Sequence, residues 1–289
     1  MKTAFIRLHL AVLLAGFTGV LGRLITLNEA LIVWYRLLLS AIALWLIVAF
    51  RKTVPLLPLK LILSIFGVGL IAALHWVSFY GAIKYSNVSV TLVCFSSIGF
   101  FTALVEPLLL RKKLAWQELA LGLLVMLGIF IIFQFDSQYK TGIIIGTISA
   151  FLAAIFPVLN RQLLKKISVE SLVTYELTGG FLTLSLLMPV YLYYFPASYL
   201  IPNLPDLGWL LILSLLCTVW AFYLSSYALQ HISAFTVNLS YNLEPVYGIL
   251  LAFFLFNENE KLGIHFYIGL LCIVSAVSIQ LFRVWKSHR

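Results

Sequence analysis

Charge is what this 289-residue sequence has least of: 10% of its residues are Asp, Glu, Lys or Arg, and ten in all are acidic. With 63% hydrophobic residues and a mean hydropathy of +1.07, that deficit excludes a soluble globular chain and reads as a polytopic membrane protein. Cysteine is scarce too. Cys94, Cys217 and Cys272 lie far apart in apolar runs, without a CxxC pair or a metal-ligand spacing, and read as small buried hydrophobes. The five histidines are scattered, and there is no HExxH and no GxSxG, which argues against an intramembrane enzyme and leaves no metal or cofactor to expect. The formal charge of +9 does not point to nucleic acid, because the basic residues sit in short clusters between apolar segments, where they set topology.

What the sequence has is long apolar runs. Ten predicted spans cover residues 5–22, 30–50, 59–82, 87–110, 114–135, 141–160, 170–195, 207–229, 233–256 and 263–284. Met1 to Leu8 resembles a signal peptide, with Lys2 and Arg7 before an apolar run, but further spans follow at once and it reads as a retained first helix. Placing the N-terminus inside puts fourteen basic residues inside: Lys2, Arg7, Arg51, Lys52, Lys60, Arg111, Lys112, Lys113, Arg161, Lys165, Lys166, Arg283, Lys286 and Arg289. Four fall outside, Arg23, Lys84, Lys140 and Lys261, so both termini are expected in the cytoplasm of a multi-pass plasma (inner) membrane protein. Trp34, Trp76, Trp116, Trp209 and Trp285 lie near span ends and read as interfacial anchors. Gly16, Gly19 and Gly22 in the first span, and Gly142, Gly146, Ala150, Ala154 and Pro157 in the sixth, form small-residue stripes that let helices approach closely.

The polar stretch around which the rest is arranged runs from Val237 to Glu258. On a helix, Asn238, Tyr241, Asn242 and Pro245 share one face of an otherwise apolar span, with Glu244 on its flank. Such a face belongs against protein or water, and Pro245 is expected to break the helix, freeing a backbone carbonyl about a turn earlier. The same stretch carries a repeat. A shift of 146 residues superposes Ala82 on Ala228, Phe95 on Tyr241, Ser96 on Asn242, Phe101 on Tyr247 and Val105 on Leu251; a shift of 140 superposes Tyr35-Arg36-Leu37 on Tyr175-Glu176-Leu177. Five spans per copy is an odd number, so the second copy enters the membrane inverted, an arrangement that places a transport site near the midplane between halves.

Ten spans, Trp34-Tyr35-Arg36-Leu37 in the second, and Leu243-Glu244-Pro245-Val246 running on to Asn257-Glu258 resemble the drug/metabolite transporter superfamily, EamA-type. Two departures are visible: Gly99 stands where the second copy has Pro245, and Lys112 where it has Glu258. The resemblance implies an all-α integral membrane fold of ten transmembrane helices in two inverted five-helix repeats, residues 1–137 and 138–289. It also implies a transporter of a small metabolite, such as an amino acid or related zwitterionic or amphipathic solute, and more often an exporter, working by alternating access around a central cavity.

The candidate cavity residues are Arg36, His75, Trp76, Tyr80, Ser96, Glu176, Tyr223, Tyr227, Asn238, Tyr241 and Asn242, with Phe79 adding to aromatic walls. Arg36 is expected about 10 Å deep, where an intramembrane cation either anchors a solute carboxylate or is a structural charge held by backbone carbonyls. Arg36 and Glu176 enter from opposite sides, roughly 10 Å apart along the membrane normal, so each needs its own partner. Glu244 and Glu176 are the coupling candidates, either proton carriers or carboxyls that tie helices together. His75 reads as a hydrogen-bonded core residue or a proton carrier, and Glu106 with Pro107 as a helix-end feature. A receptor would not need charges in both inverted copies. A nucleotide-sugar or sugar-phosphate carrier would need several cavity cations, and Arg36 is the one clearly within a span. The expected partners are therefore a small-molecule solute and membrane lipid, with proton coupling and oligomeric state left open.

Overall fold

The computed structural model describes residues 2–51, 54–135, 137–241 and 243–287. Thirteen α-helices make up the described chain, and no strand occurs among the described residues. They are α1 (Lys2–Leu24), α2 (Glu29–Arg51), α3 (Leu59–Tyr85), α4 (Val88–Phe95), α5 (Ile98–Leu110), α6 (Trp116–Phe135), α7 (Lys140–Leu163), α8 (Val169–Tyr194), α9 (Leu204–Ser214), α10 (Ala221–His231), α11 (Ala234–Tyr241), α12 (Glu244–Phe256) and α13 (Ile264–Ser287). Eight segments are long and apolar enough to cross a membrane, with α4–α5 counted as one and α9–α10 as one; Glu244–Phe256 and Ile264–Ala276 are shorter apolar helices. The sequence draws ten uninterrupted spans, whereas three of the ten regions are broken or irregular within the membrane-length stretch.

The interruptions have local causes. Between α4 and α5, the hydroxyls of Ser96 and Ser97 donate to Leu92 O (3.2 Å) and Cys94 O (2.7 Å), competing with the helical ladder. Between α9 and α10 lies a π-helical turn, Leu215–Trp220, in which the Thr218 hydroxyl donates five residues back to Leu213 O at 2.7 Å. The sequence expects a helix break at Pro245; α11 ends at Tyr241 and α12 begins at Glu244, so Pro245 stands in the first turn of α12, where its missing N–H removes no helical bond.

The two broken helices share one design. Adding 146 to the bounds of α4 and α5 gives 234–241 and 244–256, the bounds of α11 and α12. Asn87 and Ser233, related by the same shift, each accept a bond from the backbone N–H three residues on, Val90 N at 2.8 Å and Thr236 N at 3.1 Å. Arg111 and Asn257, again so related, end α5 and α12 in the left-handed region, both with φ 51°.

Helices α3, α7 and α8 pack together, as do α1, α10 and α12; α6 lies against α13, α4 against α12, and α5 against α11. Contacts are close where small residues allow it. A Cβ on Gly69 of α3 would stand 2.2 Å from Glu176 O on α8, and one on Gly22 of α1 would stand 2.3 Å from the Tyr80 ring. Tryptophans divide by role. Trp116 (72% exposed) and Trp209 (37% exposed) lie near helix starts facing outward, whereas Trp76 is buried in mid-α3 and is not an interfacial anchor. Trp34 is held inward, its indole N–H donating to Ser185 Oγ at 2.8 Å, and the Trp285 side chain lies outside the described residues.

Candidate functional site

A central cavity opens where the broken helices meet the long ones. Its wall takes Thr18 from α1, Arg36 from α2, His75, Trp76 and Phe79 from α3, Phe95 and Ile98 from the α4–α5 break, Phe156 and Asn160 from α7, Cys217 from the π-turn, Phe222, Ser225 and Ser226 from α10, and Asn238, Tyr241 and Glu244 from α11–α12. Its interior leaves about 80 Å³ for the centres of water-sized spheres, room for a handful of waters.

Arg36 is 2% exposed and is gripped by neutral groups. Its Nε donates to Thr218 Oγ1 (2.5 Å), Nη1 to Tyr80 OH (2.9 Å) and Nη2 to Cys217 O (3.3 Å), while the guanidinium stacks 3.9 Å from the Trp76 ring centroid. The π-turn is what makes this grip possible, since it brings both the Thr218 hydroxyl and the Cys217 carbonyl to bear on one side chain. A guanidinium has five N–H donors, and three are used; one remains on each Nη. The salt bridges found among the described residues, Arg23–Glu258 and Lys112–Glu106, lie away from this cavity, and neither involves Arg36.

His75 faces the cavity but is tied down, with Nδ1 3.0 Å from Ser149 O and the Ser149 hydroxyl donating to His75 O at 3.1 Å. Nδ1 also lies 2.9 Å from the Ser149 Oγ, and these contacts clasp α3 to α7. Asn238 donates to Thr102 Oγ1 at 2.9 Å, tying α11 to α5. Glu244 is 5% exposed on the wall, at the start of α12.

Several sequence candidates stand elsewhere. Tyr80 is fully buried behind Arg36, as its hydrogen-bond partner rather than as wall. Ser96 spends its hydroxyl on the helix break. Glu176 is fully buried behind Asn160, which donates to its Oε1 at 3.0 Å; Asn160 is the wall residue, and its own Oδ1, like Glu176 Oε2, has no partner among the described residues. Tyr223 donates to Glu170 at 3.0 Å, and Tyr227 lies under the Arg7 guanidinium at 3.8 Å, both outside this wall. Asn242 lies outside the described residues. Glu106 is bridged to Lys112 at 3.0 Å across the end of α5. Asn160, Phe156, Phe222 and Thr218 were missed from sequence; Pro157, one turn from Asn160, was the nearest signal.

A family model supplies what geometry alone does not. The EamA-like transporter family matches this chain twice, over residues 3–134 and 140–282. The chain belongs to the EamA-like transporter family. This family member is therefore a multi-pass membrane protein of a transporter family in the drug/metabolite superfamily, and transporters of this kind are not enzymes. It is 26% identical over 155 residues to an uncharacterized transporter of Haemophilus influenzae, covering 50% of this chain and 51% of that one. It is also 26% identical over 204 residues to an uncharacterized transporter of Archaeoglobus fulgidus, covering 68% of each. The chain thus spans about half the length of the Haemophilus relative. A solved structure titled only as the crystal structure of a protein shares the fold across 100% of both chains, with a TM-score of 0.68 at 14% identity.

Proposed function

We propose that this EamA-family member moves a small carboxylate-bearing metabolite, zwitterionic or amphipathic, across the plasma membrane by alternating access, and that it works as an exporter. The carrying observation is Arg36: a buried cation on a cavity wall, fixed by neutral partners, with one N–H left on each Nη. A carboxylate engages such a pair of donors in a bidentate way. Phe79, Phe95, Phe156 and Phe222 suit an apolar body attached to that carboxylate. One wall cation among the described residues is too few for a nucleotide-sugar or sugar phosphate.

The architecture proposed for this cycle is ten membrane helices in two inverted repeats, residues 1–137 and 138–289, with both termini in the cytoplasm. Three observations support it: the family model matches twice, the broken helices repeat with a shift of 146, and the packing of α4 on α12 and α5 on α11 pairs each half-helix with its counterpart's opposite half. The basic-residue asymmetry supports the orientation.

Counterflow of a metabolite panel in proteoliposomes tests the assignment. Arg36→Ala is expected to abolish exchange of the carboxylate solute while the protein still folds, and Arg36→Lys to restore part of it, since a lysine cannot make the bidentate pair. Should Arg36→Ala fail to accumulate while Arg36→Lys transports normally, Arg36 is structural and the assignment fails.

A further inference from the structure

A second recess lies on the outer surface, between α3 and α7. Its walls are two helical stripes: Ser64, Gly67, Val68 and Ile71 at spacings of three, one and three on α3, and Leu159, Gln162, Leu163 and Lys166 at the same spacings along α7 and just past its end. The helices run antiparallel here, as the His75–Ser149 pairing shows, so Ser64 and Lys166 share one end and Ile71 and Leu159 the other. The recess is an open groove of about 420 Å³. Its floor is open because Gly67 has no side chain, and a Cβ there would meet nothing within 4 Å. From Ser64 to Ile71 it runs about 10 Å along the helix at 1.5 Å per residue.

Polarity changes along the recess. The deep end is purely apolar. The mouth carries Gln162 and Lys166, and Lys60 continues the α3 stripe outward by one turn; both lysines are exposed, and Arg161 and Lys165 flank them. A groove within the hydrocarbon layer that ends at basic side chains complements one kind of molecule, a lipid with an apolar tail and an anionic head.

We propose that this recess is a binding site for an anionic phospholipid, one acyl chain lying over Gly67 and the phosphate held by Lys166 with Lys60 beside it. The orientation proposed above places it in the cytoplasmic leaflet, but the site does not depend on the transported solute. A structural lipid here would brace α3 against α7, the helices that carry His75, Trp76 and Asn160 to the cavity.

The test uses the full chain reconstituted in phosphatidylethanolamine vesicles containing a minor share of phosphatidylglycerol, then extracted in mild detergent, with phosphatidylglycerol retained per protein counted by native mass spectrometry. Gly67→Leu fills the floor without a clash, and Lys166→Ala removes the head-group charge. Gly208→Leu is the control, since a Cβ there also meets nothing within 4 Å. Retention is expected to fall about fivefold for Lys166→Ala, the loss expected for one basic residue at an anionic surface, and at least as far for Gly67→Leu, while Gly208→Leu retains the wild-type amount. Equal retention by all four proteins would mean ordinary boundary lipid and overturn the site. A loss with Gly67→Leu but none with Lys166→Ala would overturn its anionic selectivity. Thermal melting of each variant separates these outcomes from misfolding.

Discussion

A single side chain, Arg36, shows what a membrane interior demands of a charge. Its hydrogen bonds all go to neutral groups, and Glu244 is the carboxyl that shares its cavity; in the function proposed above, its remaining donors take the anion. Arg36 as a deep cation and Glu244 as a flank residue were legible in the sequence, because intramembrane charges stand out in apolar runs. It did not reveal Thr218 or Asn160, whose side chains matter only through partners 182 and 16 residues away, nor did it show that Glu176 sits behind Asn160 rather than in the cavity. The proposed proton coupling belongs to this scale. Glu244 lines the cavity, whereas Glu176 reaches it only through Asn160, so Glu244 is the carboxyl to test first. Glu244→Gln keeps the side chain's shape but holds position 244 uncharged at every pH. It is therefore expected to lose pH-gradient-driven transport while solute counterflow stays near wild type. If Glu244→Gln transport still follows the gradient, Glu244 is a packing residue and Glu176 becomes the coupling candidate.

Among elements, the broken helices carry the clearest asymmetry. Glu258, just past α12, caps the start of α4, accepting from Val88 N (3.1 Å), Ser89 N (2.8 Å) and Ser89 Oγ (2.6 Å), with Arg23 at 3.4 Å. The carboxylate meets the positive end of α4 and satisfies donors that no helical carbonyl reaches. Lys112 stands at the related position in the first copy, and it bridges Glu106 instead. The Lys112 difference was legible in the sequence as a departure between the copies. The cap it breaks was not, because a cap joins two segments 170 residues apart, Val88 and Glu258. Glu258→Ala is expected to destabilise the protein by about 3 kcal/mol, since charge-assisted bonds to a buried carboxylate are lost and their donors orphaned. Glu258→Gln should cost less, as one acceptor oxygen remains. Arg23→Ala should cost under about 1 kcal/mol, because the Arg23 side chain is 36% exposed. Thermal melts in detergent decide this; a loss for Arg23→Ala equal to that for Glu258→Ala would show that the ion pair, not the cap, stabilises this end.

At the level of the whole molecule, the ordering of long apolar helices was readable because membrane spans need length and little else. Of the interruptions within them, the one before Pro245 carries a proline in the sequence; the other two were not readable, since serine hydroxyls and a π-turn break helices without a proline to mark the place. Orientation rests on fourteen basic residues against four, a bias that acts during insertion and leaves its trace in which loops face which side. The helix α7 gives a direct check, because it joins two exposed residues, Gln138 just before it and Lys165 just after. Its 24 residues span about 36 Å at 1.5 Å per residue, enough to cross the hydrocarbon core, so the two sites must lie on opposite faces of the membrane. In a chain freed of Cys94, Cys217 and Cys272, a cysteine at Gln138 is expected to react with a membrane-impermeant maleimide in intact cells. One at Lys165 is expected to react only after permeabilisation. Reaction of both from outside would place α7 along rather than across the membrane and remove the basis for two inverted halves, while the reverse pattern would keep the halves and turn the termini outward.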